Sequence, residues 1–140
     1  MTEVFVDTSA LFALLVETDE NHEAARTAVP SLRDQDASLV TSSFVVLETV
    51  TLLQSRIGVA AVRIFYRDLL PLLKVAWIDE DLLHRAMSAL LASSRRRVSI
   101  TDWSSITLMR ERGIVHAFAF DEDFAMQGFK LVSAVTRFPG

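Results

Sequence analysis

Short apolar runs alternate along the chain with longer segments of helical spacing. Val4-Phe5-Val6 is a β-branched and aromatic run that suits a buried strand. Asp7-Thr8-Ser9 follows, and Ala10 to Val16 has helical character. His22 to Val29 reads as a second helix, with Asn21 at its start and Pro30 as its stop. Ser38-Leu39-Val40 fits a second strand. Ser43 to Gln54 is long and apolar, a buried helix that ends before Gly58. Val59 to Leu70 reads as another helix, halted by Pro71. Leu73 to Trp77 fits a strand. Asp79 to Ala92 places Leu82, Leu83, Ala86, Leu90 and Leu91 at amphipathic spacing. The pattern leaves Val98 to Ile100 open. A helix then starts at Thr101 or Asp102, runs to Arg112 and closes at Gly113, a residue suited to a left-handed cap. His116 to Phe120 is a strand, Asp121 to Gln127 a helical turn, and Lys130 to Val132 the last strand.

Strands that alternate with helices predict an α/β fold around a parallel sheet covered on both faces. The chain has 140 residues, no internal repeat, and only 4 glycines and 3 prolines to punctuate it. It is therefore expected to form one domain over residues 1–140.

Three times, apolar residues lead into an aspartate and a helix follows: Val4-Phe5-Val6-Asp7, Val98-Ser99-Ile100-Thr101-Asp102 and Phe118-Ala119-Phe120-Asp121. In a parallel sheet such transitions lie on the carboxyl edge, where open α/β sheets bind ligands. Each aspartate alone is explained by helix capping. Three at one edge would repel one another unless a cation sits among them or some take up protons. Glu48 is the lone charge in Ser43 to Ser55, with Phe44, Val45 and Leu52 one turn away. A carboxylate on such a face is costly to bury unless it binds metal or pairs with a cation such as Arg56. An oxygen-only donor set suits magnesium, manganese or calcium rather than zinc or copper.

There are no cysteines, which removes disulfides and thiolate metal sites and is compatible with a reducing cytoplasm, the expected location. The mean hydropathy is +0.32, apolar for a soluble chain. The longest uncharged stretch, Ala37 to Leu47, is nevertheless too short to span a bilayer, and the N-terminus lacks the basic start of a signal peptide. The surplus apolar content fits a partner interface or an ordinary core. The formal charge of −4 runs against the basic footprint of a nucleic-acid binder. A cluster of unpaired carboxylates adds to that imbalance, and the basic run Arg95, Arg96 and Arg97 just before Asp102 opposes it locally. That run meets phosphates or is a solvated turn. His22, His84 and His116 lack metal spacing, and neither a phosphate-binding glycine loop nor a G-x-S-x-G elbow is present.

At the carboxylates the sequence resembles the PIN-domain family, and within it the small VapC-like toxins of bacterial toxin–antitoxin pairs. VDTSAL matches the family's strand–Asp–Ser/Thr opening, LETV its second acidic position and SITDWSS its third. FAFDEDF matches its fourth, with Asp123 and Phe124 filling the D-x-D/H-F ending. The motifs cover essentially the whole chain in order. The resemblance implies a three-layer α/β/α fold with a central, mostly parallel sheet. It also implies a magnesium- or manganese-dependent endoribonuclease, usually a homodimer, silenced by a cognate antitoxin. Asp7, Glu48, Asp102 and Asp121 become the expected catalytic and metal-holding residues, with Asp121 preferred over Asp123 as the fourth. Thr8 and Ser9 become their supports, or else routine helix-start residues. Trp103 departs from the family, which often has a small residue there; a ring beside the site would narrow access or stack on a base. Two other readings compete: a catalytically silent binding module of the same fold, and a phosphatase or receiver domain using Asp7. The latter is disfavoured because Ser9 stands where a second aspartate would be needed.

Overall fold

The computed structural model describes residues 1–139. Five strands form one sheet: β1 (Glu3–Val6), β2 (Ser38–Ser42), β3 (Lys74–Ala76), β4 (His116–Phe118) and β5 (Lys130–Leu131). Their spatial order is β3-β2-β1-β4-β5, and every neighbouring pair is parallel. Val4 stands opposite Leu39 on one side and His116 on the other, and Phe5 opposite Val40 and Ala117. Successive strand residues point to opposite faces. Val4, Phe5 and Val6 are nonetheless all buried, as are His116, Ala117 and Phe118. Both faces of the sheet are therefore covered, as expected for a parallel sheet flanked by helices.

The helices are α1 (Thr8–Leu15), α2 (His22–Asp34), α3 (Ser43–Arg56), α4 (Val59–Ile64), α5 (Glu80–Ser93), α6 (Ile100–Arg112) and α7 (Glu122–Met126). Side-chain caps set most of their starts: Asp7 accepts from Ser9 N–H, Ser42 from Val45 N–H and Asp79 from Leu82 N–H. Among the described residues, no helix is long and apolar enough to cross a membrane.

The elements differ from expectation at four places. Helix α2 runs through Pro30 to Asp34. Pro30 lies on the exposed face, and so does Arg26, whose carbonyl loses the bond the proline cannot donate; water can serve that oxygen. Pro71 does not end the segment before it either. After α4 the backbone widens into a π turn, Phe65–Leu69, that buries Phe65, and then tightens into a 3-10 turn, Leu70–Leu72. Pro71 sits in the first turn of that last piece, where a missing N–H costs little. Third, no strand precedes Asp102: Val98 lies in a bend and helix α6 begins at Ile100. Fourth, β4 ends at Phe118, so Asp121 follows it at a distance of three residues rather than directly.

Strand β1 has β2 on one side and β4 on the other, so the chain's winding reverses there. A crevice opens at such a point beyond the carboxyl ends of the strands. The α3–α4 junction helps shape one wall of it. Gly58, at φ +138° and ψ 174°, turns the chain between these helices in a region that only glycine enters readily. Open space surrounds its Cα, so strain rather than collision decides a replacement. Gly58→Ala should destabilise the fold by about 1–3 kcal/mol, read as a lower urea midpoint with an unchanged slope.

Candidate active site

Asp7 leaves β1 directly and caps α1. Its Oδ2 accepts from the Ser9 N–H at 3.1 Å and from the Ser9 hydroxyl at 2.7 Å. The Ser9 Oγ in turn accepts from the Phe120 N–H at 2.9 Å, and the Asp7 N–H donates to the Phe118 carbonyl at 3.0 Å. Ser9 thus ties Asp7 to the segment between β4 and α7. Asp7 is only 3% exposed, and its Oδ1 is buried without a hydrogen-bond partner. Burial pushes its carboxyl up to about 6; the Ser9 hydrogen bonds pull it down, and the charges of Glu48 and Asp121 raise it further.

Glu48 lies half-buried on α3. Thr8 and Thr49 fix that helix against α1: the Thr49 hydroxyl donates to Val45 O at 2.7 Å and approaches the Thr8 hydroxyl at 3.2 Å. Desolvation raises the Glu48 carboxyl above its ordinary value, Thr8 and Thr101 oppose the shift, and the charges of Asp102 and Asp121 reinforce it. Arg56 is not its partner, since among the described residues no ion pair joins them.

Asp102 stands in the first turn of α6, in a reciprocal capping box. Ser99 N–H donates to its Oδ2 at 3.1 Å, and its own N–H donates to Ser99 Oγ at 3.1 Å. Burial raises its carboxyl to about 6, and the charges of Asp7 and Asp121 act in the same direction. Asp121 caps α7, with its Oδ1 accepting from the Asp123 N–H at 2.9 Å.

These four carboxylates line one cavity of about 290 Å³, with Thr8 and Ser9 in its floor. Asp123 does not line it, but one oxygen each from Asp102, Asp121 and Asp123 fall within 4.8 Å of one another. Desolvation and the neighbouring Asp121 raise the Asp123 carboxyl, while Arg95 lowers it. The Arg95 Nη2 donates to Asp123 Oδ1 at 3.1 Å. The three arginines of the basic run are thus placed differently. Arg95 folds back onto an acid of the site, while Arg96 and Arg97 stay exposed.

Trp103 is 5% exposed, so its ring packs in the core and cannot stack on a base. One position after Asp102, the turn of α6 points it inward rather than at the cavity. Phe12, Asp19, Asn21, Leu52 and Ser99 also line the cavity, and none of them was read from the sequence as a site residue. Arg56, read only as a possible Glu48 partner, lines it too.

The donor set is all oxygen, with a buried Asp7 oxygen that no group among the described residues satisfies. That combination fits a hard divalent cation. A parallel α/β sheet with an acidic cavity at its switch point defines a metal-site class of domain. More narrowly, the PIN domain family matches residues 4–130, and the chain belongs to that family.

The chain is 36% identical over 127 residues to a protein named 23S rRNA-specific endonuclease VapC20 from Mycobacterium tuberculosis, covering 90% of this chain and 95% of the relative. The crystal structure of M. tuberculosis VapC20, described as a sarcin-ricin loop cleaving toxin, superposes with a TM-score of 0.77 at 35% identity. That match covers 93% of this chain and 98% of the other. FitAcB from Neisseria gonorrhoeae shares the fold, with a TM-score of 0.68 at 14% identity over 94% of this chain and 97% of that one.

Keeping Asp7 ionised at neutral pH costs the metal-free fold on the order of 3 kcal/mol. Its proton leaves near 3.8 in the unfolded chain and near 6 in the folded one. Between those values the folded state holds the extra proton, so stability should fall as pH rises through that window. In EDTA the urea midpoint should therefore drop between about pH 4 and pH 7. Asp7→Asn should raise the midpoint at pH 7 and flatten this dependence. A midpoint that rises with pH in this window, or an unstable Asn variant, would contradict the assignment.

Proposed function

We propose that this chain is a metal-dependent endoribonuclease and the toxin of a toxin–antitoxin pair. The observation that carries the reading is the cavity at the sheet's switch point, where Asp7, Glu48, Asp102 and Asp121 meet and Asp7 Oδ1 lacks a partner. The similarity to a 23S rRNA-specific endonuclease over 90% of the chain supports it. Ribosomal RNA is accordingly the first substrate to test.

Asp7, Asp102 and Asp121 would hold magnesium or manganese, with Asp123 a further oxygen donor near the last two. When bound, such an ion acidifies water and neutralises charge on phosphate oxygens. The chain's own groups prepare the site. Ser9 fixes which Asp7 oxygen is spoken for and leaves Oδ1 free. Glu48, with its proton affinity raised, is suited to orient a water or accept its proton on the way to attack at phosphorus. Thr8 holds the helix bearing Glu48 in register with Asp7.

The catalytic unit is one domain spanning residues 1–140. It acts as a homodimer in the cytoplasm and is silenced by an antitoxin. Exposed Leu47, Tyr66, Leu72 and Trp77 supply apolar surface for association. Away from the acids, an apolar cavity of about 410 Å³ between α1, α2 and the 3-10 turn, walled by Leu11, Leu14, Leu32 and Leu72, supports a separate groove for an antitoxin segment.

The test is incubation of the purified chain with total bacterial RNA in magnesium or EDTA, followed by mapping of the cut ends. Cleavage at defined sites should occur only with the metal. Asp102→Asn should lower it by more than about a hundredfold. Asp121→Asn should be more severe than Asp123→Asn, because Asp121 lines the cavity while Asp123 is engaged by Arg95. The reverse order would move the fourth role to Asp123. RNA bound but left whole in every divalent metal would leave the silent binding module as the reading.

A further inference from the structure

Resting on the ribonuclease reading above, the geometry points to a phosphate-binding subsite formed by Arg56 over Phe12, which takes a backbone phosphate neighbouring the one cut. Glu48, Leu52 and Arg56 lie four residues apart on α3, and all three line the acidic cavity. Residues at that spacing form one row along a helix face. Arg56 ends the row, about 12 Å along the helix axis from Glu48 at 1.5 Å per residue. Its guanidinium carbon sits 5.7 Å from the centroid of the Phe12 ring, which also lines the cavity. The aromatic face holds a cation there without consuming its hydrogen-bonding capacity.

The surroundings make this placement informative. Asp7, Asp19, Glu48, Asp102 and Asp121 share the cavity with Arg56. Yet among the described residues no carboxylate lies within ion-pair distance of it, and it donates no hydrogen bond. Arg26, Arg85 and Arg95 are spent on Glu23, Glu111 and Asp123, and the other arginines without an ion pair among the described residues, such as Arg63, Arg96 and Arg97, do not line this cavity. A positive charge at the end of α3 also suits the helix dipole. That accounts for a cation at this position but not for its seat over a ring in the cavity wall. A planar guanidinium with five free donors matches the bidentate geometry of a phosphodiester. Its distance along the row from Glu48 separates that phosphate from the one among the acids.

The test uses the full-length chain, with a fluorescein-labelled single-stranded RNA of mixed sequence as probe. Binding is read by anisotropy across a salt series with calcium in place of magnesium, and cleavage of total RNA is followed in magnesium. Arg56→Ala should raise Kd about tenfold at low salt. It should also flatten the slope of log affinity against log salt by about 0.7, the loss of one phosphate contact. In cleavage, KM should rise while kcat stays within about threefold. Arg56→Lys should keep most of the slope but not the full affinity, since the stacked fork is lost. Phe12→Leu should weaken binding with the charge intact. The salt slope separates a lost contact from a structural defect, and Arg56 is exposed, so its variants should fold. If the parent binds and cuts RNA while Arg56→Ala matches it in Kd and slope, the subsite is overturned and the ribonuclease reading stands. If the parent neither binds nor cuts RNA, both fall together.

Discussion

Asp7 ends the central strand with one carboxylate oxygen clamped by Ser9 and the other bare in a buried wall. An ionised group so placed is expensive, and two more carboxylates, Glu48 and Asp102, are likewise desolvated beside it. The rest of the structure must hold these groups together against their own repulsion. A continuous parallel sheet with both faces covered supplies the rigidity. Phe5, Phe118, Phe124 and Phe65 are essentially fully buried around it, so the strand ends have little freedom to relax apart.

Only Asp7 directly follows a strand; Asp121 comes three residues after β4, and the fold reaches the other two acids by other means. Glu48 is carried in by α3, which the Thr8–Thr49–Val45 hydrogen bonds lock onto α1. Asp102 is carried in by α6, whose start is fixed by the capping box with Ser99. That box uses Asp102 Oδ2, so one oxygen serves the helix while the other remains for the cavity. Capping and site roles therefore coexist in a single carboxyl group. The same holds for Asp7 and Asp121, each an N-cap that also lines the cavity.

This dual use explains what could be read from the sequence. The alternation of apolar runs and helical segments is dictated by burial, and burial decides the layers, so the parallel α/β architecture was legible. The pattern of an apolar run followed by aspartate picked out Asp7 and Asp121, because a helix cap shortly after a strand is a local signal, although β4 stops three residues before Asp121. Glu48 was legible as a lone charge on an apolar helix. Asp102 was picked on a wrong premise: the apolar residues before it form a bend, and its signal was the Ser99-x-x-Asp102 spacing of a capping box. Pro30 and Pro71 misled because proline breaks a helix only where its lost bond or its ring meets a constraint, and exposure decides that in three dimensions. Asp19, Phe12 and Arg56 could not be found at all as site residues. Phe12 is an apolar residue within α1, Asp19 lies in the loop after it and Arg56 ends α3, and only tertiary packing brings them to the same cavity.

The acidic balance of the chain then takes on a local meaning. A formal charge of −4 counts every carboxylate alike, but some surface acids are matched in space by arginines, as Glu23 is by Arg26 and Glu111 by Arg85, and the unmatched ones outside the cavity face water. The cavity is where unpaired carboxylates are crowded together and partly desolvated, and Arg95 relieves only Asp123 at its edge. A polyanion approaching this cavity meets repulsion at close range, stronger than in bulk water because the walls are partly desolvated. On the proposed reading, affinity and chemistry at the acids share one requirement, while Arg56 at the cavity's edge adds to affinity alone. Whatever neutralises Asp7, Asp102 and Asp121 also removes the barrier to RNA, so on a chain of net negative charge the scissile phosphate can settle among these acids only once that has happened.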